Sequence, residues 1–503
     1  MARHRNERGR ACAAALAAAL ALGCAGGGLA ARDGALAAAR DGAEGSAPGG
    51  APATAPEARP RPPRAAPAAG PSAARDEDPF AGTASLDRAR VVEAVLRRNP
   101  TLEAARQAWR AALARFPQET GLPDLMLAYR VAPRSLASRT VDDAHVVELA
   151  QPIPFPGTRR LRGEVALADA DAAREAFEAA RLRLATAASL LFDDLYVAAR
   201  ALEVNEHHHG LLEELQAVAR SRYEAGEVSA GAALQAEVEL GQLARERATL
   251  EAEARVAGHA LNALLHRAPD APLPPPPARL GPAPLAPGAG PRAGARDDAA
   301  RAAAPGEAPP PAPGAPGHGE LAAALADRPE LRAADARVRA GEAEVALARR
   351  AFLPDVTLVG GYDGMEEASE MRPMVGLSFE VPLQLGRRRA ALEEARARLE
   401  SARAERAALE AELHAALASA AARVEEARRV LAVVRDRLLP AARDRLDAAR
   451  AAFETGQEDF DALITAQRDL SEVELAEHRA LADVERRAAE LASARGVLPG
   501  LAR

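Results

Sequence analysis

Pro154-Phe155-Pro156-Gly157-Thr158-Arg159 marks the point where period-two alternation gives way to a helical pattern. Pro382-Leu383-Gln384-Leu385-Gly386-Arg387-Arg388 marks the same change about 229 residues later. The equivalence extends outward on both sides. Asn99-Pro100-Thr101-Leu102 matches Arg328-Pro329-Glu330-Leu331, and Leu122-Pro123-Asp124 matches Leu353-Pro354-Asp355. Farther on, Tyr223-Glu224-Ala225-Gly226 matches Phe453-Glu454-Thr455-Gly456. The offsets stay between 228 and 231 from end to end, whereas chance matches scatter. A block written twice predicts an assembly with pseudo-symmetry.

Each copy reads as helix, two short strands, a very long helix and a return helix. The opening helices are expected at about 86–119 and 319–351, each broken by Leu-Pro-Asp. Strands are expected at about 125–133 and 145–153 in the first copy, and at about 356–362 and 374–381 in the second. Val375, Leu377, Phe379 and Val381, for example, oppose Met374, Gly376, Ser378 and Glu380. Such alternation suits a strand with one face on lipid and one on water. After Gly157 and Gly386 the pattern is helical for about 65 residues, roughly 100 Å of helix. Leu184, Ala188, Leu191, Leu195, Ala198 and Leu202 step by 4 and 3. Leu392, Ala395, Leu399, Ala402, Leu409 and Leu413 do the same, with Arg406 as the interruption. Return helices follow at about 231–266 and 461–497. An opening and a return helix together match one long helix in length, which describes a wall rather than a globule.

Composition agrees. Aromatic residues are 3% of the 503-residue chain, Ala, Arg, Glu and Leu dominate, and there is no lysine. Long packed helices have this make-up. The formal net charge of -7 argues against a nucleic-acid partner. Beyond the N-terminus no run of about 20 apolar residues suggests a helical membrane span.

Residues 1–23 read as a signal peptide, with Arg3, His4, Arg5, Arg8 and Arg10 ahead of a short apolar stretch. Ala21-Leu22-Gly23-Cys24 resembles a bacterial lipoprotein cleavage box, which makes Cys24 the expected lipidated residue. It departs from the usual box at Ala21 and Leu22, and ordinary cleavage nearby is the alternative. With Cys12 removed, one cysteine remains and no internal disulfide is expected. Residues 24–79 read as a flexible Ala/Pro/Gly-rich tether, 80–267 as the first repeat, 268–318 as a solvated Pro/Ala/Gly-rich linker, and 319–503 as the second repeat.

Four strands cannot close a membrane barrel, because open edges leave backbone groups unpaired in lipid. The chain must pool its strands with copies of itself. Eight strands give an interior filled by side chains; twelve, from three chains, leave room for water. At this point the chain resembles the TolC family of outer-membrane efflux proteins over about 86–266 and 319–497. The resemblance is carried by Asn99-Pro100, Leu122-Pro123-Asp124, 151–157, Met374-Val375-Gly376-Leu377-Ser378, 222–226, and Gly456 followed by Asp459-Phe460 and Ala466-Gln467-Arg468. It is nearest to the lipoprotein branch that includes heavy-metal efflux channels. The resemblance implies a mainly α protein with a membrane β-barrel part. It implies a homotrimer with a twelve-stranded barrel in outer-membrane lipid and an α-helical tunnel in the periplasm. Its implied partners are a periplasmic adaptor (membrane fusion protein) and an inner-membrane pump of the resistance-nodulation-division type.

The resemblance also implies roles for the two hairpin tips. Tyr223, Gly226, Phe453 and Gly456 would form the grooves that receive the adaptor; simple helix termination at glycine is the alternative. Glu458, Asp459 and Asp461 would form an acidic ring at the gate, or else a solvated charged surface. Ala232 stands where the family commonly has Asp, so the acid would come mainly from the second tip. His207-His208-His209 cannot converge on one ion, since consecutive helical residues point about 100° apart. His209 is expected near the seam and the other two toward solvent. Met365, Met371 and Met374 flank the second hairpin, but methionine is also an ordinary filler. No catalytic, metal or cofactor constellation is read, and the chain is expected not to be an enzyme. The function expected is a passive exit channel for metal cations or small toxic compounds. The alternatives are a type I secretion duct and, from another class, a periplasmic structural coiled coil or adaptor lipoprotein.

Overall fold

A computed structural model describes residues 78–132, 145–225, 230–280, 325–366, 370–455, 457 and 459–501. Two units divide after Asp78. The first, which includes the expected signal peptide, Cys24 and most of the tether, lies outside the described residues but for Asp78.

Helix α1 spans Arg88–Arg98 and α2 spans Pro100–Thr120, where one helix is expected. The break has a plain cause. Pro100 occupies the first turn of α2 and forces the residue before it into extended backbone, and Asn99 has φ -69° and ψ 121°. Asn99 then caps α2, its side-chain oxygen accepting from the Thr101 backbone amide at 2.9 Å, and its side-chain nitrogen donates to the Leu264 carbonyl at 2.9 Å. The break recurs in the second repeat, without a side-chain cap. Arg328 is extended (φ -68°, ψ 126°), and α5, Pro329–Arg350, starts at Pro329 rather than at 319.

The strands fall where the alternation places them: β1 Met126–Val131, β2 His145–Ile153, β3 Asp355–Asp363 and β4 Pro373–Glu380. They form one antiparallel sheet in the order β1-β2-β3-β4. The ladder between β2 and β3, with Val147 opposite Tyr362 and Ile153 opposite Val356, joins the two repeats. Every residue of β1 and of β4 is exposed, and these strands are the sheet's two edges.

Helix α3, Thr158–Glu224, runs unbroken for 67 residues, about 100 Å. It starts from Gly157, whose φ of 86° belongs to glycine, and a β-carbon there would lie 2.6 Å from the Arg350 guanidinium. Gly386 has no such role; it lies inside α6, Leu385–Val433. The second long helix is not continuous. After α6 comes a π-helical turn, Val434–Leu438, then α7, Leu439–Glu454. Pro440 explains the turn: in α geometry its ring would meet the carbonyl four residues back. The return helices are α4, Ala230–Leu264, and α8, Phe460–Ala494. α3 packs along α2 and α4, and α6 along α5 and α8, so each long helix has its two-piece column. Among the described residues no helix is long and apolar enough to cross a membrane.

The largest apolar cluster lies where α1, α3 and α4 meet, around Val91, Val92, Val95, Phe192, Leu261 and Leu265. Part of the expected linker belongs to it. Leu273 and Leu280 pack there, the Leu86 amide donates to the Pro275 carbonyl at 2.8 Å, and Asn262 donates to the carbonyls of Pro269 and Ala271. Residues 268–280 are therefore part of the folded body, held by backbone carbonyls that proline leaves free to accept.

Candidate functional site: the hairpin tips and the polar seam above them

The tips are built on a small apolar core. Phe453 at the end of α7 and Phe460 at the start of α8 meet edge to face at 5.5 Å, with Leu212, Ala219, Ala236 and Ile464 around them. Arg222 joins the two tips. It donates to the Phe453 carbonyl at 2.7 Å and the Glu454 carbonyl at 3.1 Å, and its guanidinium lies 4.8 Å from the Phe453 ring centroid. These bonds satisfy carbonyls that a helix end leaves without intrahelical partners.

The residues expected at this site separate into two groups. Tyr223 is 49% exposed at the end of α3 and is free to meet a partner. Phe453 is 3% exposed, so its ring shapes the tip from below rather than lining a surface groove. Asp459 and Asp461 are exposed. Asp459 holds the extended position before α8, and Asp461 accepts a hydrogen bond from Gln235 of α4. Gly226, Gly456 and Glu458 lie outside the described residues, as does the side chain of Ala232.

The histidine reading requires a correction. His208, not His209, faces inward. It is 1% exposed, its Nε2 is 2.9 Å from Glu474 Oε2, and its Nδ1 is 2.6 Å from the Gln467 side-chain nitrogen. That arrangement makes Nδ1 the acceptor and Nε2–H the donor to the carboxylate. His207 is exposed, and His209 lies 3.6 Å from Glu213. The buried stripe of α3 steps through Ala198, Ala201, Asn205, His208 and Leu212, by 3, 4, 3 and 4, whereas the heptad through Leu202 takes those steps in the opposite order and reaches His209 between Asn205 and Leu212. The His208 hydrogen bond is the main cause that holds Glu474 below the usual carboxylate range, with Arg443 assisting.

His208 is the lowest rung of a polar seam between α3 and α8. Higher up, the Tyr196 hydroxyl is 3.4 Å from His478 Nδ1 and Arg200 lies over the Tyr196 ring; burial pushes the His478 imidazole down. Higher still, Arg88 of α1 reaches both Asp193 and Glu485. On α8 their only signal is spacing, with Gln467, Glu474, His478 and Glu485 at steps of seven, four and seven; on α3, Asp193, Tyr196, Arg200 and His208 fall off the 3-4 pattern of the apolar residues and give none. Among the described residues no group of three His, Cys, Asp or Glu side chains could hold a metal ion. Met371 and Met374 are exposed on the second hairpin.

Residues 321–497 match the family model of the outer membrane efflux protein. The fold is similar to a membrane protein from Pseudomonas aeruginosa, at 22% identity and TM-score 0.63, over 83% of this chain and 95% of that one. It is similar to the outer membrane protein VceC of Vibrio cholerae, at 18% identity and TM-score 0.64, over 82% and 96%. It is also similar to the open state of the MtrE outer membrane channel of Neisseria gonorrhoeae, at 20% identity and TM-score 0.61, over 82% and 89%. No curated protein matches the chain in sequence.

Proposed function

From the premise that the TolC-family resemblance is borne out, by an outer membrane efflux protein domain in the second repeat and by the fold of the described chain, we propose that the protein is a passive outer-membrane exit duct. It works in a tripartite efflux system and carries metal cations or small toxic compounds delivered by a periplasmic adaptor and an inner-membrane pump. The observation that carries this reading is the sheet. Its four strands end in two unpaired edges, and β1 and β4 expose Leu127, Tyr129, Val375, Leu377 and Phe379. Unpaired edge groups and exposed apolar side chains are both costly in water, and an unpaired edge is costly in lipid too. Closure with copies removes the edge and turns the apolar side chains toward the bilayer. Three chains pool twelve strands around a lumen wide enough for water, above the helical wall.

Energy for transport comes from the pump; the duct supplies a wet path. The adaptor docks at the tips through Tyr223, Gly226 and Gly456, with Phe453 setting the shape of the tip from below. Glu458, Asp459 and Asp461, repeated by symmetry, ring the entrance and favour cations. Cys24 carries the lipid. Conductance of the reconstituted protein tests this reading. The expected result is a heat-resistant trimer in detergent whose channels prefer cations, with that preference reduced by Asp459→Asn plus Asp461→Asn. A monomer that stays soluble without detergent would overturn the duct. An unchanged preference would overturn the ring alone.

A further inference from the structure

The apolar face of the sheet continues past the end of its last strand. On that face Leu358 pairs with Leu377 and Val356 with Phe379, in order toward the helices. Beyond β4 come Val381, then Leu383 at 84% exposure, then Leu385 at the start of α6. Leu122 and Leu353, where the opening helices give way to strands, are exposed as well. Bare leucines at the foot of an apolar sheet face extend its surface for a non-aqueous neighbour.

Arginines follow at once. Gly157-Thr158-Arg159-Arg160 leads into α3, and Gly386-Arg387-Arg388-Arg389 stands at the start of α6. In each repeat one arginine turns inward. Arg159 donates to the Thr120 carbonyl at 2.8 Å, and Arg388 donates to the equivalent carbonyl of Ala351. Arg350 donates across the repeats to the Pro156 carbonyl. Their neighbours Arg160, Arg162, Arg349, Arg387 and Arg389 are exposed. Arg160 lies 3.5 Å from Glu164; among the described residues the other four have no acidic partner. Arg160 and Arg387 stand in first turns that hold no acidic residue, where the helix dipole disfavours a cation. The acids at this level do not neutralise the belt. Asp355 and Glu380 pair with each other on the opposite face of the sheet, one residue out of step with Val356 and Phe379. Glu119 and Asp124 are exposed nearby and leave the belt net positive.

We propose that this arginine belt is a docking surface for anionic phospholipid headgroups, at the level where the apolar sheet face meets the helical wall. The inference rests on the outer-membrane reading and adds the lipid chemistry that holds the sheet at its depth. Leu383 and Leu385 lie at the acyl border. The aliphatic stems of Arg160, Arg162, Arg387 and Arg389 cross that border, and their guanidinium groups meet the phosphates. A planar guanidinium offers a phosphate two parallel hydrogen bonds, which an ammonium cannot.

The test reconstitutes the full chain into vesicles of phosphatidylcholine, alone and in an equimolar mixture with phosphatidylglycerol. Spin-labelled phosphatidylglycerol and spin-labelled phosphatidylcholine are the probes, and the motionally restricted fraction of each reports lipid held at the protein surface. The wild type should hold the anionic probe about fivefold more tightly, the gain of one basic group near a charged bilayer, and salt should weaken that preference. Changing Arg160, Arg162, Arg387 and Arg389 together to Gln should abolish it. Changing Arg245, Arg255, Arg423 and Arg437 to Gln removes the same charge from the exposed helical wall and should leave it intact. Wild-type preference in the first variant would overturn the proposal. So would inorganic phosphate that displaces the anionic probe at constant ionic strength, which would mark a free-anion site. A first variant that loses its oligomer in lipid-free detergent would make the belt a contact between copies and would overturn it too. A protein that inserts into both vesicles without preference overturns the belt and leaves the duct standing; one that inserts into neither overturns both.

Discussion

Phe453 and Tyr223 occupy equivalent places in the two repeats and do opposite things. The ring of Phe453 fills the tip core and that of Tyr223 faces water. Truncation should separate them. Phe453→Ala leaves a cavity between Phe460 and Leu463 and removes the surface beneath Arg222, a loss of about 3–5 kcal/mol of local stability. Tyr223→Ala should change stability by less than about 0.5 kcal/mol and weaken adaptor binding instead. Denaturant melts of the two variants, with adaptor pull-down beside them, check both halves. The sequence pairs these residues by position but is silent on burial, because an aromatic beside a glycine turn reads the same whether its ring faces in or out. His208 and His209 illustrate a related limit. Reversing the order of three- and four-residue steps along a long helix exchanges an interior position for a half-exposed one, and the sequence around His208 and His209 admits either order.

At the level of elements, period-two alternation located all four strands to within about two residues, because a half-exposed sheet imposes it on every position. The interruptions were less legible. Pro100 and Pro329 stand inside the opening motifs, yet the helical periodicity around them conceals the break. The π-turn did leave a trace. The buried stripe of α6 and α7 passes from Val434 to Leu439, a step of five, whereas from Leu413 to Val434 and from Leu439 to Phe453 every step is three, four or seven. The extra residue keeps both side chains facing α8. Deleting Asp436 together with Pro440→Ala should therefore convert the turn to regular α-helix with the stripe still in phase, and helicity and melting temperature should hold. Deleting Ala420 instead rotates Leu417 against Val424 by about 100° and should lower the melting temperature by several degrees. Circular dichroism melts of the two deletions distinguish an accommodated insertion from an incidental distortion.

The whole molecule is organised by its sheet edges. Four exposed large hydrophobics share one face of β4 and the residue just beyond it: Val375, Leu377, Phe379 and Val381, with Val375 at 80% exposure. Paired with β1 of another copy, these side chains stand against lipid; unpaired, they are an aggregation hazard. If the proposed trimer forms, Val375→Asp together with Phe379→Asp should reduce its heat-resistant band on gels while leaving the helical signal of the chain intact. The architecture was legible in the sequence because duplication fixes where each element recurs. The polar seam was not, since a buried Asp or His is recognised by partners that lie hundreds of residues away, as Glu485 does from Arg88.

The ladder that joins β2 to β3 is an antiparallel seam of the same kind as the one β4 would make with the next copy's β1. Nothing in its hydrogen bonds requires the two repeats to be one polypeptide. A nick or a stop-and-restart placed within 285–315 should leave two fragments that find each other when co-expressed. Run backward in time, the same logic describes an ancestor half this length, whose hairpins met edge to edge between separate chains before fusion joined them in one.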